Sequence, residues 1–308
     1  MSNEKKILLL GGNGFIGTAL AAGLMKNGWS VTIFADKKRD TDTMKNVKYL
    51  YGDFFCDSVF DILSDYDKIV HLISSINPSS SANNPMAGYS RDFVRSVEII
   101  NFLSHEGKTM YFASSGGTVY GMQSISPIPE TAPTEPINHY GMTKLLIENV
   151  LYMYNRTHNT KHVVFRISNP YGPGQNSAFS GVGVIDAFIR KAMVGEAIKI
   201  YGDGGITRDF IYIDDMVSAL TAVFNKEKCR HGVYNIGSGQ GYSLSDLLIQ
   251  IEDILETSVR VEYYDKRAVD VNKVILDTTR FRDEFGTHKI VTPIKDGSVK
   301  TISTLKKY

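Results

Sequence analysis

Short apolar runs of strand length punctuate the first half of the chain, at residues 7–10, 31–34, 47–51, 69–73, 110–113 and 163–167. Between them, residues 15–26, 89–103 and 140–154 carry apolar side chains at the three- to four-residue spacing of an amphipathic helix. Strands apolar on both faces and separated by helices predict an α/β fold, a doubly wound parallel sheet covered on both sides, over residues 1–168. From Asn169 to about Gly183 the pattern loosens into a polar loop rich in glycine and proline. Helical patterns at 184–194, 215–225 and 244–255 then alternate with strands at 198–201, 210–213, 233–236 and 259–263. Residues 169–308 thus read as a smaller α/β substrate lobe, with a segment around 206–236 returning to the first unit and a ligand cleft between the two.

The first apolar run leads directly into Gly11-Gly12-Asn13-Gly14-Phe15-Ile16-Gly17, a Gly-x-Gly-x-x-Gly spacing that opens a helix. Glycines there let the backbone turn tightly and approach a pyrophosphate, whose charge sits at the helix N-terminus. With a strand before and a helix after, the motif predicts a Rossmann-type dinucleotide site with Gly11, Gly14, Phe15, Ile16 and Gly17 as its residues. Gly52-Asp53-Phe54 places Asp53 near the adenine, the plainer alternative for Asp53 being a turn or helix cap. A carboxylate about 20 residues after the glycines normally holds the adenine ribose, and strand register puts that position at Ala35. The acid stands one residue later, at Asp36, followed by Lys37-Lys38-Arg39. Two cofactors stay open: NAD if Asp36 reaches the ribose, NADP if the basic trio meets a 2′-phosphate rather than solvent.

Composition narrows the partners. The 308 residues hold 34 Lys and Arg against 33 Asp and Glu, a formal net charge of +1. This balance leaves no large electrostatic footprint for nucleic acid or an anionic membrane surface. The apolar run at 7–10 is too short for a signal peptide or a membrane span, and no later segment qualifies. Cys56 and Cys229 lie far apart and match neither a disulfide framework nor a zinc site. A cytoplasmic protein without a bound metal is the expectation.

Tyr140-Gly141-Met142-Thr143-Lys144 begins a helix behind a proline-rich loop, and its spacing puts a phenol and an ammonium on one helical face. A phenol is a poor acid or base at neutral pH, but an adjacent ammonium and a cationic nicotinamide favour the phenolate. Ser114-Ser115 falls at the end of the fifth strand, where a hydroxyl can orient a substrate alcohol or carbonyl.

These features together resemble the extended short-chain dehydrogenases/reductases, specifically the nucleotide-sugar epimerase/dehydratase group. The resemblance runs through nearly the whole chain: the glycine turn, Gly52-Asp53, the segment 112–121, Tyr140 to Lys144, the segment 166–174, Gly202-Asp203-Gly204 with Arg208-Asp209-Phe210, and Arg267-Ala268-Val269-Asp270. It implies Tyr140 as proton donor or acceptor, Lys144 as its partner and a holder of the cofactor ribose, and Ser115 as the orienting hydroxyl, with Thr118 in reserve because Gly116-Gly117 looks like a one-residue bulge. It also implies Asn169, Arg208 and Arg267 at a nucleoside diphosphate and Asp270 beside it, and a homodimer through the helices at 89–103 and 140–154. Arginine suits a diphosphate because its planar fork pairs with phosphate oxygens.

Departures from the family pattern are His71-Leu72-Ile73-Ser74 after the fourth strand, Asp92 where an asparagine is usual, the displaced Asp36, and Val274 where epimerases restricted to non-acetylated hexoses carry a tyrosine. Two reactions at C4 of a nucleoside-diphosphate hexose share the machinery. A reductase adds hydride to a ketone and exchanges its cofactor each turn; an epimerase removes a hydride, returns it to the other face and retains NAD. The altered cofactor segments favour reduction of a 4-keto-6-deoxyhexose on dTDP or UDP, with 4-epimerisation as the alternative and a non-catalytic nucleotide-binding protein as a remote third. A bacterial surface polysaccharide (O-antigen, lipopolysaccharide) is the setting that the resemblance implies.

Overall fold

The computed structural model describes residues 5–40, 42–56, 58–175, 183–266, 271–286 and 292–305. In chain order the first half forms β1 (Lys6–Leu10), α1 (Phe15–Lys26), β2 (Ser30–Ala35), β3 (Lys48–Tyr51), α2 (Ser58–Leu63), β4 (Lys68–His71), π-helical turns (Ala87–Phe93) that run into α3 (Val94–His105), β5 (Thr109–Ser115), α4 (His139–Thr157) and β6 (Val163–Ile167). The second half adds β7 (Asn169–Tyr171), α5 (Val184–Met193), β8 (Ile198–Tyr201), β9 (Thr207–Tyr212), α6 (Ile213–Phe224), β10 (Val233–Ile236), β11 (Gly241–Ser243), α7 (Leu244–Leu255), β12 (Val261–Tyr264), β13 (Lys273–Val274), α8 (Thr279–Phe285) and α9 (Ile294–Leu305).

Alternate residues of the central strands face opposite helical layers. Ile7, Leu9, Ile33 and Phe165 pack with Leu20 and Leu24 of α1 and Met216 and Leu220 of α6. Leu8, Leu10, Ile69 and Phe112 pack with Ile99 and Leu103 of α3 and Ile147 and Leu151 of α4. Burial on both faces is why these strands read as unbroken apolar runs. The seven-stranded sheet has the order β10-β6-β5-β4-β1-β2-β3 and every pair in it is parallel. The chain winds outward from β1 to β3 and returns to β4 on the other side of β1. A crevice opens at that reversal, outside the carboxyl ends of the strands, where ligands of such sheets bind.

Beyond β6, β9 pairs with β7, β11 and β13, and β8 pairs with β12. Part of the predicted loop is therefore strand: β7 contains Pro170 and, among the described residues, pairs with β9 alone, so the missing N–H costs no second ladder there. The fourth strand ends at His71 rather than at residue 73, because the Ile73 N–H donates to His71 Nδ1 (3.3 Å) and turns the chain away. α8 and α9 lie beyond the elements that the sequence pattern predicts; α9 buries Gly297, Ser298 and Thr301 beside Ile294 and Ile302. Among the described residues no helix is long and apolar enough to cross a membrane, and no cluster of three His, Cys, Asp or Glu side chains could hold a metal ion.

A buried ion pair fastens α4 to the sheet. Arg166 of β6 donates to Glu148 Oε2 from Nε (3.0 Å) and Nη2 (2.7 Å), and Ser114 of β5 donates to Glu148 Oε1. Arg166 also donates to the Glu130 carbonyl (3.3 Å), and the Glu130 carboxylate accepts from the Asn235 N–H of β10 (2.8 Å). Glu148→Ala strands a buried guanidinium and should lower the unfolding free energy by about 3–5 kcal/mol, read from urea denaturation.

Candidate active site

The turn after β1 is set by backbone demands. Gly11 has φ +77°, a conformation open to glycine, and its N–H donates to the Phe34 carbonyl (2.8 Å). A Cβ on Gly17 would stand 2.4 Å from Gly12 Cα, so the first turn of α1 rests directly on the glycine loop. The N-cap residue Gly14 offers no side-chain cap and the first turn holds no acid, which leaves the N-terminal N–H groups for an anion.

Three adjoining cavities run across the carboxyl ends of the strands. The first, about 420 Å³, is lined by Ala35, Asp36, Arg39, Asp53, Phe54 and Arg91 among others. The second, about 460 Å³, shares Gly11, Gly14, Leu72 and Ser74 with it and continues past Phe15, Ile16 and Gly17 to Ser115, Tyr140 and Lys144. The third, about 670 Å³, shares Ser115, Asn169 and Pro78 with the second and is also lined by Thr118, Tyr89, His139 and Arg208. A channel of this length, narrow at a glycine loop and floored by one helix N-terminus, matches an extended ligand with an anionic middle.

Tyr140 and Lys144 lie one turn apart on α4, with the Lys144 Nζ 5.6 Å from the Tyr140 ring centroid. Lys144 is buried, donates to the Ala113 carbonyl (3.0 Å) and sits 4.7 Å over the Phe112 ring. Burial brings its ammonium down to about 8 against the opposing pull of Asp92 and Glu148. Burial and then the charge of Asp92 push the Tyr140 phenol up to about 12. The expectation that the ammonium lowers the phenol is thus reversed in the protein by itself: desolvation and a second, negative neighbour outweigh it.

Asp36 is exposed and Asp53 accepts from the Phe55 N–H (2.9 Å), so Asp53 caps a turn while it borders the first cavity. Arg39 is half-buried there and donates to the Asn13 carbonyl (2.9 Å), while Asn13 donates to the Lys37 carbonyl (3.0 Å). These bonds tie the basic segment to the glycine turn. Ser115 borders both the second and third cavities, whereas Thr118 borders the third alone. Asn169 donates to the Asp209 carbonyl (2.8 Å), next to Arg208. Asp209 is fully buried and accepts from the N–H groups of Ser238 (2.8 Å), Gly239 (3.1 Å) and Leu276 (3.2 Å). Val274 packs among Val119, Tyr120 and Leu276 in an apolar cluster, so its small size is explained by packing. Arg267 and Asp270 lie outside the described residues.

Several groups escaped the sequence reading. Glu148 follows Tyr140 and Lys144 at the same four-residue step on α4, a signal that was available. Tyr89 Oη pairs with His139 Nδ1 (2.8 Å) on the wall of the third cavity, joining residues far apart in sequence. His71 is buried between Phe54 and Phe112. Ser96 Oγ donates to the Asp92 carbonyl (2.6 Å), which leaves it to accept from His71 Nε2 (2.9 Å), while His71 Nδ1 accepts from the Ile73 N–H. That pattern fits only the neutral imidazole.

The profile of the NAD dependent epimerase/dehydratase family matches residues 7–237. The dTDP-4-dehydro-6-deoxyglucose reductase of Escherichia coli is 30% identical over 316 aligned positions, covering 99% of this chain and 99% of its own. A putative UDP-glucose 4-epimerase of Methanocaldococcus jannaschii is 29% identical, covering 97% and 98%. The solved UDP-glucose 4-epimerase of Thermotoga maritima with UDP-glucose superposes with a TM-score of 0.90 at 27% identity, over 98% of this chain and 99% of its own.

Burial, and then the Lys144 charge, lower His71 from 6.5 to about 3. Its folded pKa lies below the unfolded one, so its contribution is complete above the unfolded value and is lost as pH falls from 6.5 toward 3. At pH 5 the loss reaches about 2 kcal/mol. The urea midpoint should fall between pH 7.5 and 5, while the His71 ring resonances in NMR stay constant over that interval.

Proposed function

The chain belongs to the NAD dependent epimerase/dehydratase family, and on that premise we propose that it reduces the C4 ketone of a 4-keto-6-deoxyhexose carried on dTDP or UDP. The observation that carries the reductase reading is the make-up of the adenosine end of the channel: Ala35 ends β2 without a carboxylate, Asp36 is exposed at the cavity edge, and Arg39 stands in the cavity. A cofactor held there exchanges between turnovers, as a reductase requires. Similarity to the Escherichia coli reductase along almost the whole chain supports the same outcome.

The uncapped N-terminus of α1 and the glycine turn fit a dinucleotide pyrophosphate. When bound, the reduced nicotinamide supplies a hydride to the sugar and leaves as the oxidised cofactor. Lys144 would hold the nicotinamide ribose. Ser115 orients the ketone oxygen, and Tyr140 delivers its proton to that oxygen as C4 receives the hydride, which gives the alcohol. A phenol held protonated suits this direction, and Lys144 limits the cost of the phenolate left behind. Asn169, Arg208 and Arg267 take the nucleoside diphosphate, with Asp270 of the same motif set beside it. The channel excludes solvent around the reacting carbon with Leu72, Ala113 and Ile167. α3 and α4 expose Val94, Tyr152 and Met153, which fits a homodimer through those helices. The setting of this reading is the cytoplasmic supply of an activated sugar for a bacterial surface polysaccharide.

The second reading is a 4-epimerase with retained NAD, favoured by the similarity to the Methanocaldococcus jannaschii and Thermotoga maritima proteins. Purified protein that releases little NAD or NADP on denaturation, and that consumes NADH or NADPH with a 4-keto-6-deoxy nucleotide sugar, supports the reductase and names its donor. Close to one NAD per chain with C4 inversion and no loss of reduced-nicotinamide absorbance points to the epimerase. In either case Tyr140→Phe should cut kcat by about 10²–10⁴, while NADH affinity, followed by fluorescence, falls by no more than about tenfold, since the two side chains differ by one hydroxyl and its hydrogen bond.

A further inference from the structure

The wall between the first two cavities is the segment 72–75, and its far end, Ser74 and Ser75, is held from behind by one side chain of the helical layer. Asp92 is buried in the π-helical turns, and its Oδ2 accepts from the Ser75 N–H (2.7 Å) and from Ser74 Oγ (3.1 Å), which also faces the Ile76 carbonyl (2.8 Å). Leu72 and Ser74 border both cavities, and Ser75 borders the first. The π-helical turns lie tight against wall and helix alike: a Cβ on Gly88 would stand 2.5 Å from both Ile76 Cδ1 and Thr143 Oγ1 of α4. The second oxygen, Oδ1, is buried without a hydrogen-bond partner. A buried carboxylate with one oxygen unbonded is destabilising by itself, and the wall needs only the other oxygen.

We propose that Asp92 is a positioning residue of this site: one oxygen fixes the channel wall at 72–75, and the carboxylate charge sets the field at Lys144 and Tyr140. The inference rests on the roles given to that pair under the proposed function. The charged and titratable groups around it are accounted for. Its turns pack on α4 at Thr143, beside Lys144, and its charge reaches Lys144 and Tyr140, while Glu148 farther along that helix is engaged by Arg166 and Ser114. His71 approaches from β4 and is neutral, with its Nε2 on Ser96. On its own element, Arg91 covers the Phe55 ring (4.2 Å) and Arg95 donates to the Phe55 carbonyl and pairs with Glu98 (2.9 Å). Tyr89 is paired with His139. Among the described residues the cation whose charge state Asp92 supports is Lys144, whose ammonium it favours while it opposes the Tyr140 phenolate.

The test uses the full chain and needs no sugar. NMR of lysine side chains, with Lys144 assigned through its loss in Lys144→Met, gives the ammonium titration, and fluorescence gives the NADH affinity. Asp92→Asn keeps an oxygen for the wall and removes the charge: Lys144 should titrate about one pH unit lower with NADH affinity held within about twofold. Asp92→Ala should lower Lys144 similarly and weaken NADH about fivefold or more. Ser74→Ala keeps the charge, and should weaken NADH while Lys144 stays in place. An unmoved Lys144 in Asp92→Asn, an unchanged NADH affinity in Asp92→Ala, or a Lys144 shift in Ser74→Ala as large as in Asp92→Asn each overturns the proposal. Because neither readout involves turnover, a failure here is distinguishable from a failure to find activity on any nucleotide sugar.

Discussion

The channel depends on the chain leaving the sheet directly after β4. Two buried acceptors cause that exit: the Nδ1 of neutral His71 takes the Ile73 N–H, and the Asp92 carboxylate takes the Ser75 N–H. Between them lies Leu72, whose N–H still reaches back to the Leu10 carbonyl (3.0 Å). The segment is thus anchored to β1 at one end and to the helical layer at the other. It stands upright between the adenosine and central cavities instead of lying along the sheet. A charged imidazole would lose its bond from Ile73, so the shape of the channel and the protonation of a residue outside it are one question.

Electrostatics around α4 follow from the same layer. Tyr140, Lys144 and Glu148 follow one another down the helix at four-residue steps, Tyr140 half-buried at the cavity and the other two buried. Glu148 is spoken for by Arg166, so it steadies the helix against β5 and β6 while Asp92 acts across the gap on Lys144. Burial keeps the phenol protonated and weakens the ammonium at rest, with Asp92 adding to the first effect and opposing the second. A reaction that begins with proton donation starts from the state that the protein already prefers.

Much of this was legible in the residues. The strand runs, the glycine turn and the Tyr140-to-Lys144 step carry their own periodicity, because each is a local backbone requirement or a one-face burial. Ser115 stands at the end of β5, where the strand pattern places a hydroxyl, and it borders the second and third cavities. What could not be read was set by contacts distant in sequence. β7 forms around Pro170 because β9 is there to pair with it, α9 closes with small polar residues against neighbours already in place, and Tyr89 meets His139 only after folding. The effect of burial on Tyr140 was likewise invisible, since sequence spacing names the neighbouring charge and says nothing of the solvent lost.

The bond from Asn169 to the Asp209 carbonyl has a mechanical meaning. Asp209 is pinned by the N–H groups of Ser238, Gly239 and Leu276, so the backbone beside Arg208 is a fixed post. Asn169 ties that post to the wall shared with Ser115. On the proposed reading, the span from the anion-holding arginine to the reacting carbon is therefore a rigid ruler laid in main chain. Substrates are sorted by reach before any ring substituent is felt: a sugar tethered by a single phosphate would meet one end of the ruler and miss the other.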